Sequence, residues 1–299
     1  GALHQRAELG ADLVLAGAGD FVVEHLDRNA QLFEDEHHLG THVLRAVNRR
    51  HGEIAALDGR AVAAVAGFDP EGPLSADAHH LVRAEARRLL TWRQRDDARR
   101  AALDAAAAAG IVAVHECAGP QIGGAEDWQE LRGTEHGVEV VGYWGEAVST
   151  AAQARALIDA TGAAGLAGDL FVDGALGSHT AWLCRPYADA RDRTGNCYLN
   201  PTVIAEHLSA CTEAGVTAGF HVIGDAAAAA VVDALEAVVE RFGAPAVARC
   251  GHRLEHLEMV SEEQAAKLGA WGIVASMQPN FDALWGGADG MYARRLGVD

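Results

Sequence analysis

The chain has 299 residues, 49% hydrophobic and 22% charged, enough apolar material for one barrel-sized domain or two smaller ones and far from a disordered composition. Its 42 acidic against 24 basic residues give a formal charge of -18. That balance argues against a nucleic-acid or anionic-membrane partner, both of which require a basic surface, and reads as a well-solvated acidic exterior.

Residues 1–75 form no clear repeating pattern. Asp12–Leu15, Asp20–Val23 and His42–Val47 read as short strands. Glu34–His38 gathers acidic and histidine side chains, as a solvated loop does. Asp69-Pro-Glu-Gly-Pro73 is a strong breaker and marks a boundary between an accessory segment (1–75) and a second region (76–299).

Beyond it the grammar changes. Ala76 to Ala109 is helical, broken near Thr91 and stopped at Gly110. Ile111–His115 is a compact β-branched run, as in a buried parallel strand. The alternation then repeats. Strands are expected at Val138–Tyr143, Asp169–Asp173, Thr217–His221, Ala248–His256 and Gly272–Met277. Helices are expected from the Ser149 cap to Thr161, Thr202 to Ala214, Ala226 to Phe242, and the Ser261 cap to Leu268. Six strands alternating with helices, without hairpin signals, indicate an α/β fold with a parallel sheet.

A doubly wound sheet and a barrel both fit. No glycine-rich phosphate loop follows the first strand, whereas polar residues sit at many strand ends: His115, Asp173, His221, His256 and Gln278. Chemistry spread over most strand tips favours the barrel.

His221 and His256 each close a strand, so a shared metal ion is the first functional expectation, with Asp169 as a further ligand. A metal-bound water can act as hydroxide near neutral pH. Side-chain alternation puts Asp169, Phe171 and Asp173 on one face. If His256 points into the barrel mouth, alternation turns Arg253 and Glu255 toward the helices, where they can pair. Gly174-Ala-Leu-Gly-Ser-His-Thr180 follows a strand tip and reads as an active-site loop, with Trp182, Tyr187, Trp285 and Tyr292 as candidate walls. Helix capping accounts for Asp225. The five cysteines are scattered without a CxxC, so neither a zinc knuckle nor a disulfide framework is indicated and a cytoplasmic setting is expected.

Phe171-Val-Asp-Gly-Ala-Leu-Gly-Ser-His-Thr-Ala181, Pro186-Tyr-Ala-Asp189, His221-Val-Ile-Gly-Asp225, Arg253-Leu-Glu-His256 and Ser276-Met-Gln-Pro279 occur in series. In that order they resemble the amidohydrolase superfamily, in particular its YtcJ-like branch (amidohydrolase family 3, which includes N-substituted formamide deformylases), across residues 70 to 299. The resemblance implies a (β/α)8 TIM-type barrel of the metal-dependent hydrolase kind, holding a divalent metal such as zinc and cleaving an amide, formamide or cyclic amide. The six strands would then be the second to seventh, with residues 1–75 an insertion over the barrel mouth. Metal ligands would be His221, His256 and Asp169; Asp173 would be catalytic; His115, His179, Gln278 and Trp285 would contact a small-molecule substrate.

Two departures stand out. The family's His-x-His first strand and its terminal aspartate strand are not visible, which suggests an incomplete chain. Asp169 stands where the family often has a lysine, and Lys267 is the chain's sole lysine. A non-catalytic relative that keeps the scaffold is the competing expectation. A homo-oligomer is compatible with either.

Overall fold

The computed structural model describes residues 90–297. The strands, acidic loop and breaker expected before residue 76 lie outside those residues, as does the first half of the expected helical stretch.

The described residues divide into two compact units. The first comprises residues 90–114 and 126–140. Its helix α1 (Trp92–Ala108) begins at Thr91, whose side chain and Gln94 form a reciprocal capping box, the break expected from the sequence. Leu103 and Ala106 of α1 bury against Val138, with Val114 and Val140 beside them. A second helix, α2 (Gly124–Arg132), was not foreseen. Half-buried Arg95 and Arg99 reach Asp127 and Glu130 on it, at 3.2 and 2.8 Å respectively.

The second unit comprises residues 115–125 and 141–299, the last two lying beyond those described. It carries the C-terminal ends of β1 (Ala113–Ala118) and β2 (Glu139–Trp144), then α3 (Ala151–Thr161), β3 (Gly165–Leu166), α4 (Pro201–Ala214) and β4 (Thr217–Val222). There follow α5 (Asp225–Phe242), α6 (Ala244–Cys250), β5 (Arg253–His256), α7 (Glu262–Ala270), β6 (Val274–Ser276), α8 (Asn280–Trp285) and α9 (Met291–Leu296). The six strands hydrogen bond in sequence order, and every register resolved from β2 to β6 is parallel.

The sheet curls. β1 and β5 are four places apart, about 19 Å in a flat sheet at the usual strand spacing. Yet His115 Nδ1 on β1 lies 2.7 Å from Arg253 Nη1 on β5. Only a sheet rolled toward a barrel brings those side chains together. The opposite face of the strands meets helices: Phe220 packs its ring against His207 of α4, centroids 5.4 Å apart, and His252 Nε2 lies 2.9 Å from Thr212 Oγ1. Ile204, Leu208, Val231, Leu235, Phe220, Val222 and Leu254 are buried in that layer. The result is an α/β barrel-like fold.

Two strands differ from expectation. Ala248–Cys250 is helical, the end of α6. Pro245 in its first turn and Gly251 in left-handed geometry at its end punctuate the alanine-rich segment as a helix, so β5 starts only at Arg253. The expected strand Asp169–Asp173 is an interruption rather than regular β structure. Leu166 pairs with Ala218 and Phe171 bridges His221, so five steps of chain run beside three. The two surplus residues form a bulge of the kind that re-aims side chains beside a site. Gly168 takes it with φ of 87°, where an added Cβ would sit 2.8 Å from Cys117 Cβ. The alternation assumed for Asp169, Phe171 and Asp173 is broken by this bulge.

His207 gives the fold an acid-sensitive point. Its Nδ1 accepts from Val148 N and its Nε2 donates to the Leu166 carbonyl, at 3.2 and 2.9 Å. Burial pushes its pKa down to about 4. The unfolded chain therefore takes up a proton near pH 6.5 that the native chain refuses until about pH 4. Stability is fully present above the unfolded pKa and is lost as pH falls through that window, by roughly 3 kcal/mol for this side chain. Burial, then neighbouring His207, lowers His252 to about 4 as well. Urea midpoints collected between pH 7 and 4 are expected to show a shallower decline in His207→Leu than in the wild type. Parallel declines would contradict the assignment.

Candidate metal centre

The ends of β4 and β5 place two imidazoles together. The rings of His221 and His256 stand edge to face with centroids 4.6 Å apart. His256 and Leu257 adopt φ values of 68° and 49°. That left-handed turn takes His256 out of the strand's alternation and swings it beside His221. The expected consequence for its neighbours is therefore reversed. Arg253 and Glu255 do pair with each other, but on the inside of the curled sheet, while His252 faces the helices.

Each imidazole has one nitrogen committed to an oxygen acceptor. His221 Nε2 lies 3.0 Å from the Gly174 carbonyl, and His256 Nδ1 lies 2.7 Å from Gln278 Oε1. A carbonyl oxygen only accepts, so those nitrogens carry the hydrogens. Nδ1 of His221 and Nε2 of His256 are then the nitrogens left to ligate. This is how metal-binding histidines are usually held, with the outer nitrogen tied down so that the inner one can ligate. Burial, then neighbouring His256, pushes the His221 pKa down to about 3, so the ring is neutral across the physiological range.

Asp173 is fully buried and already occupied. Its Oδ1 accepts from Ile223 N at 3.0 Å, and its Oδ2 accepts from Gly224 N at 2.7 Å and Trp182 N at 2.9 Å. The side chain thus ties the end of the 174–182 loop to the turn that follows His221. Burial raises its pKa to about 6 against the opposing pull of those three N–H groups, which leaves it a carboxylate at neutral pH. Gly224 must be glycine for this tie: an added Cβ would lie 2.0 Å from the Trp182 carbonyl oxygen.

The other expected site residues are placed as follows. Gln278 orients His256. His115 contacts Arg253 and lies 5.6 Å, ring to ring, from Tyr143. Asp169 is partly buried near Cys117, whose thiol is pushed up by burial, then by Glu255 and Asp169. His179, with φ of 57°, binds Asp189 at 2.9 Å and packs against Tyr187, and Asp189 in turn pairs with Arg295. Trp285 stacks between Phe281 and Tyr292 at the edge of a cluster formed by Leu176, Ala181, Leu183, Tyr187, Ile223 and Met291. His179 and Trp285 therefore brace the loop and its cover.

Three features were not singled out from the sequence. The inward facing of the Arg253–Glu255 pair is one. Glu258 is another: its carboxyl accepts from Tyr292 Oη at 2.7 Å, and burial raises its pKa while nearby His256 opposes that shift. Tyr143, under the Arg253 guanidinium at 4.4 Å, is the third. A glutamate two residues past His256 could have been noted as a strand-end acid; the other two depend on tertiary contacts.

The donor set suits a divalent cation at one point, beside the adjoining rings of His221 and His256, each of which keeps one nitrogen uncommitted by these bonds. Among the described residues, no group of three or more His, Cys, Asp or Glu side chains converges in ligand geometry. Further ligands would therefore have to come from outside those residues or from rearrangement of residues such as Asp169. Among the described residues, no helix is long and apolar enough to cross a membrane.

The amidohydrolase family's sequence profile matches residues 34–299. Protein LONG AFTER FAR-RED 3 of Arabidopsis thaliana is 32% identical over 129 residues, covering 43% of this chain and 21% of that protein. The putative amidohydrolase YtcJ of Bacillus subtilis is 29% identical over 114 residues, 38% of this chain and 20% of its own length. Among solved structures, an uncharacterized metal-dependent hydrolase from Pyrococcus furiosus superposes with a TM-score of 0.58 at 21% identity, over 80% of this chain and 50% of that one. One from Pyrococcus horikoshii superposes with a TM-score of 0.53 at 20% identity, over 79% and 48%. The match spans about a fifth of the curated relatives and about half of the solved ones.

Proposed function

Because the chain belongs to the amidohydrolase family, we propose that it is a metal-dependent hydrolase that cleaves an amide-type C–N bond in a small molecule. The observation that carries this reading is the pair of imidazoles oriented by oxygen acceptors at adjoining strand ends. We further infer that the described strands belong to a (β/α)8 barrel, with His221 and His256 near the mouth.

His221 Nδ1 and His256 Nε2 would hold the cation, and two imidazoles suit zinc. When bound, it supplies Lewis acidity toward the amide carbonyl and toward water. The chain's own residues do the rest. The Gly174 carbonyl and Gln278 hold the rings in the ligating tautomer. Asp173 acts as a positioning residue, since its three backbone bonds keep the 174–182 loop against the end of β4. Glu258, which interacts electrostatically with nearby His256, is an acid that could carry a proton to or from the leaving amine. Asp169 remains a candidate further ligand.

Gln278→Ala frees the His256 ring and is expected to weaken zinc binding and kcat/KM by about 10- to 100-fold. Gln278→Glu, which keeps an acceptor oxygen at that place, is expected to recover most of the loss. Zinc titrations of the three proteins check this.

The reading is tested with purified protein stripped by chelator and reloaded with zinc, assayed on N-formyl, N-acetyl and cyclic amides. Hydrolysis of at least one class that disappears on stripping and returns on reloading is the expected result. Hydrolysis that is indifferent to chelator would contradict a metal-dependent reaction.

A further inference from the structure

Inside the curled sheet the structure holds a polar cluster that the proposed metal chemistry does not use. Arg253 is buried and gives Nε to Glu255 Oε1 and Nη2 to Glu255 Oε2, the bidentate pairing that fixes a guanidinium plane. Its Nη2 also donates to Ser276 Oγ at 3.1 Å, and its Cζ lies 4.4 Å over the Tyr143 ring. Burial opposes the charge, but Glu255 more than offsets that, so the guanidinium is held protonated. What remains is Nη1, which points at His115 Nδ1 across 2.7 Å.

A guanidinium has five donors and no acceptor. Nδ1 of His115 must therefore accept, and the neutral ring must carry its hydrogen on Nε2. His115 itself is exposed. It also lies two residues before Cys117, on the same strand face, and the Glu255 and Asp169 carboxylates are near enough to raise the Cys117 thiol. Glu255 is the register partner of His221 and the residue before His256, so this cluster lies beside the candidate metal ligands.

We propose that Arg253 is a positioning residue for His115: it fixes that imidazole as the Nε2–H tautomer, so His115 meets the substrate only as a hydrogen-bond donor, and the group it takes is an oxygen acceptor, a carbonyl or carboxylate. The substrate half rests on the hydrolase reading above; the tautomer half does not. The selectivity follows from the satisfaction of buried polar groups. An amine or ammonium at that place would bring donor against donor, whereas a carbonyl or carboxylate oxygen completes the pair. Arg253 is also not exchangeable with lysine, because an ammonium cannot hold Glu255 bidentately and reach His115 in a fixed plane.

The test uses the full chain labelled with nitrogen-15 at histidine, read by long-range proton–nitrogen correlation spectra at pH 8, with His115→Gln identifying the signals. The expected wild-type spectrum shows His115 with a bare Nδ1 and a protonated Nε2. Arg253→Met combined with Glu255→Leu removes both charges together, so neither is left buried alone, and is expected to give a mixture of tautomers. Protonated Nδ1 in the wild type overturns the proposal, as does an unmixed Nε2–H tautomer in the double variant. Should the double variant not fold, the wild-type spectrum decides. For amides bearing a carboxylate or second carbonyl, His115→Leu is expected to lower kcat/KM about tenfold and His115→Gln, which keeps a donor, about threefold or less. Equal losses in the two overturn the donor role. If the wild type hydrolyses no amide, the reaction class fails while the spectrum still decides the tautomer.

Discussion

His221→Ala and His256→Ala are each expected to lower kcat/KM for a cleavable amide by about 10³-fold or more, since Lewis acidity is worth several kcal/mol of barrier. The two losses should not add. Either variant leaves a single described imidazole at the site, and residues that act as a unit give non-additive effects. The double variant is therefore expected to fall close to either single one. Steady-state kinetics on zinc-loaded proteins measure this. A multiplicative loss in the double variant would mean that the histidines act separately, one as ligand and the other on substrate.

Asp173→Ala is expected to have the largest effect on stability. The substitution leaves the N–H groups of Trp182, Ile223 and Gly224 without their acceptor in a buried place. At about 1–3 kcal/mol for each of the three orphaned donors, the loss is on the order of 3–9 kcal/mol, a large share of a typical domain's stability. Asp173→Asn keeps one acceptor oxygen and turns an amide donor toward the other N–H groups, so it is expected to be destabilised as well. Urea denaturation, with limited proteolysis across 174–182, separates the two roles this aspartate has been given. Lowered stability and early cleavage in that segment identify a positioning residue. Wild-type stability with abolished turnover would identify a catalytic one.

The strand-end histidines were readable because a β-branched or alternating run that stops on a polar residue is a local pattern, and locality survives in one dimension. Asp173 was readable only as a polar residue at a strand tip. Its partners at 182, 223 and 224 come from elsewhere in the chain, so its work as a tie could not be seen. The same limit explains the reversed faces of β5. Alternation is a sound rule within Arg253–Glu255, but one left-handed residue at His256 ends it, and nothing in Arg-Leu-Glu-His announces that turn. At 169–173 the apolar spacing is strand-like, and the bulge follows from how β4 pairs with it and from Gly168. At 248–250 the helix wins because Pro245 and Gly251 supply start and stop signals, which the strand expected from Ala248 to His256 overran. The parallel order of the sheet was legible from the alternation of strands and helices. Its curl was indicated only by the polar residues at many strand tips; the contact between residues 115 and 253 that shows it could not be read in advance.

The most direct test of the metal site is the zinc content of the full chain after equilibrium dialysis, determined by plasma mass spectrometry for the wild type and for His221→Ala and His256→Ala. Stoichiometric zinc is expected in the wild type and loss of most of it in each variant, with circular dichroism showing that both remain folded. Zinc retained in full by both variants would contradict the metal site.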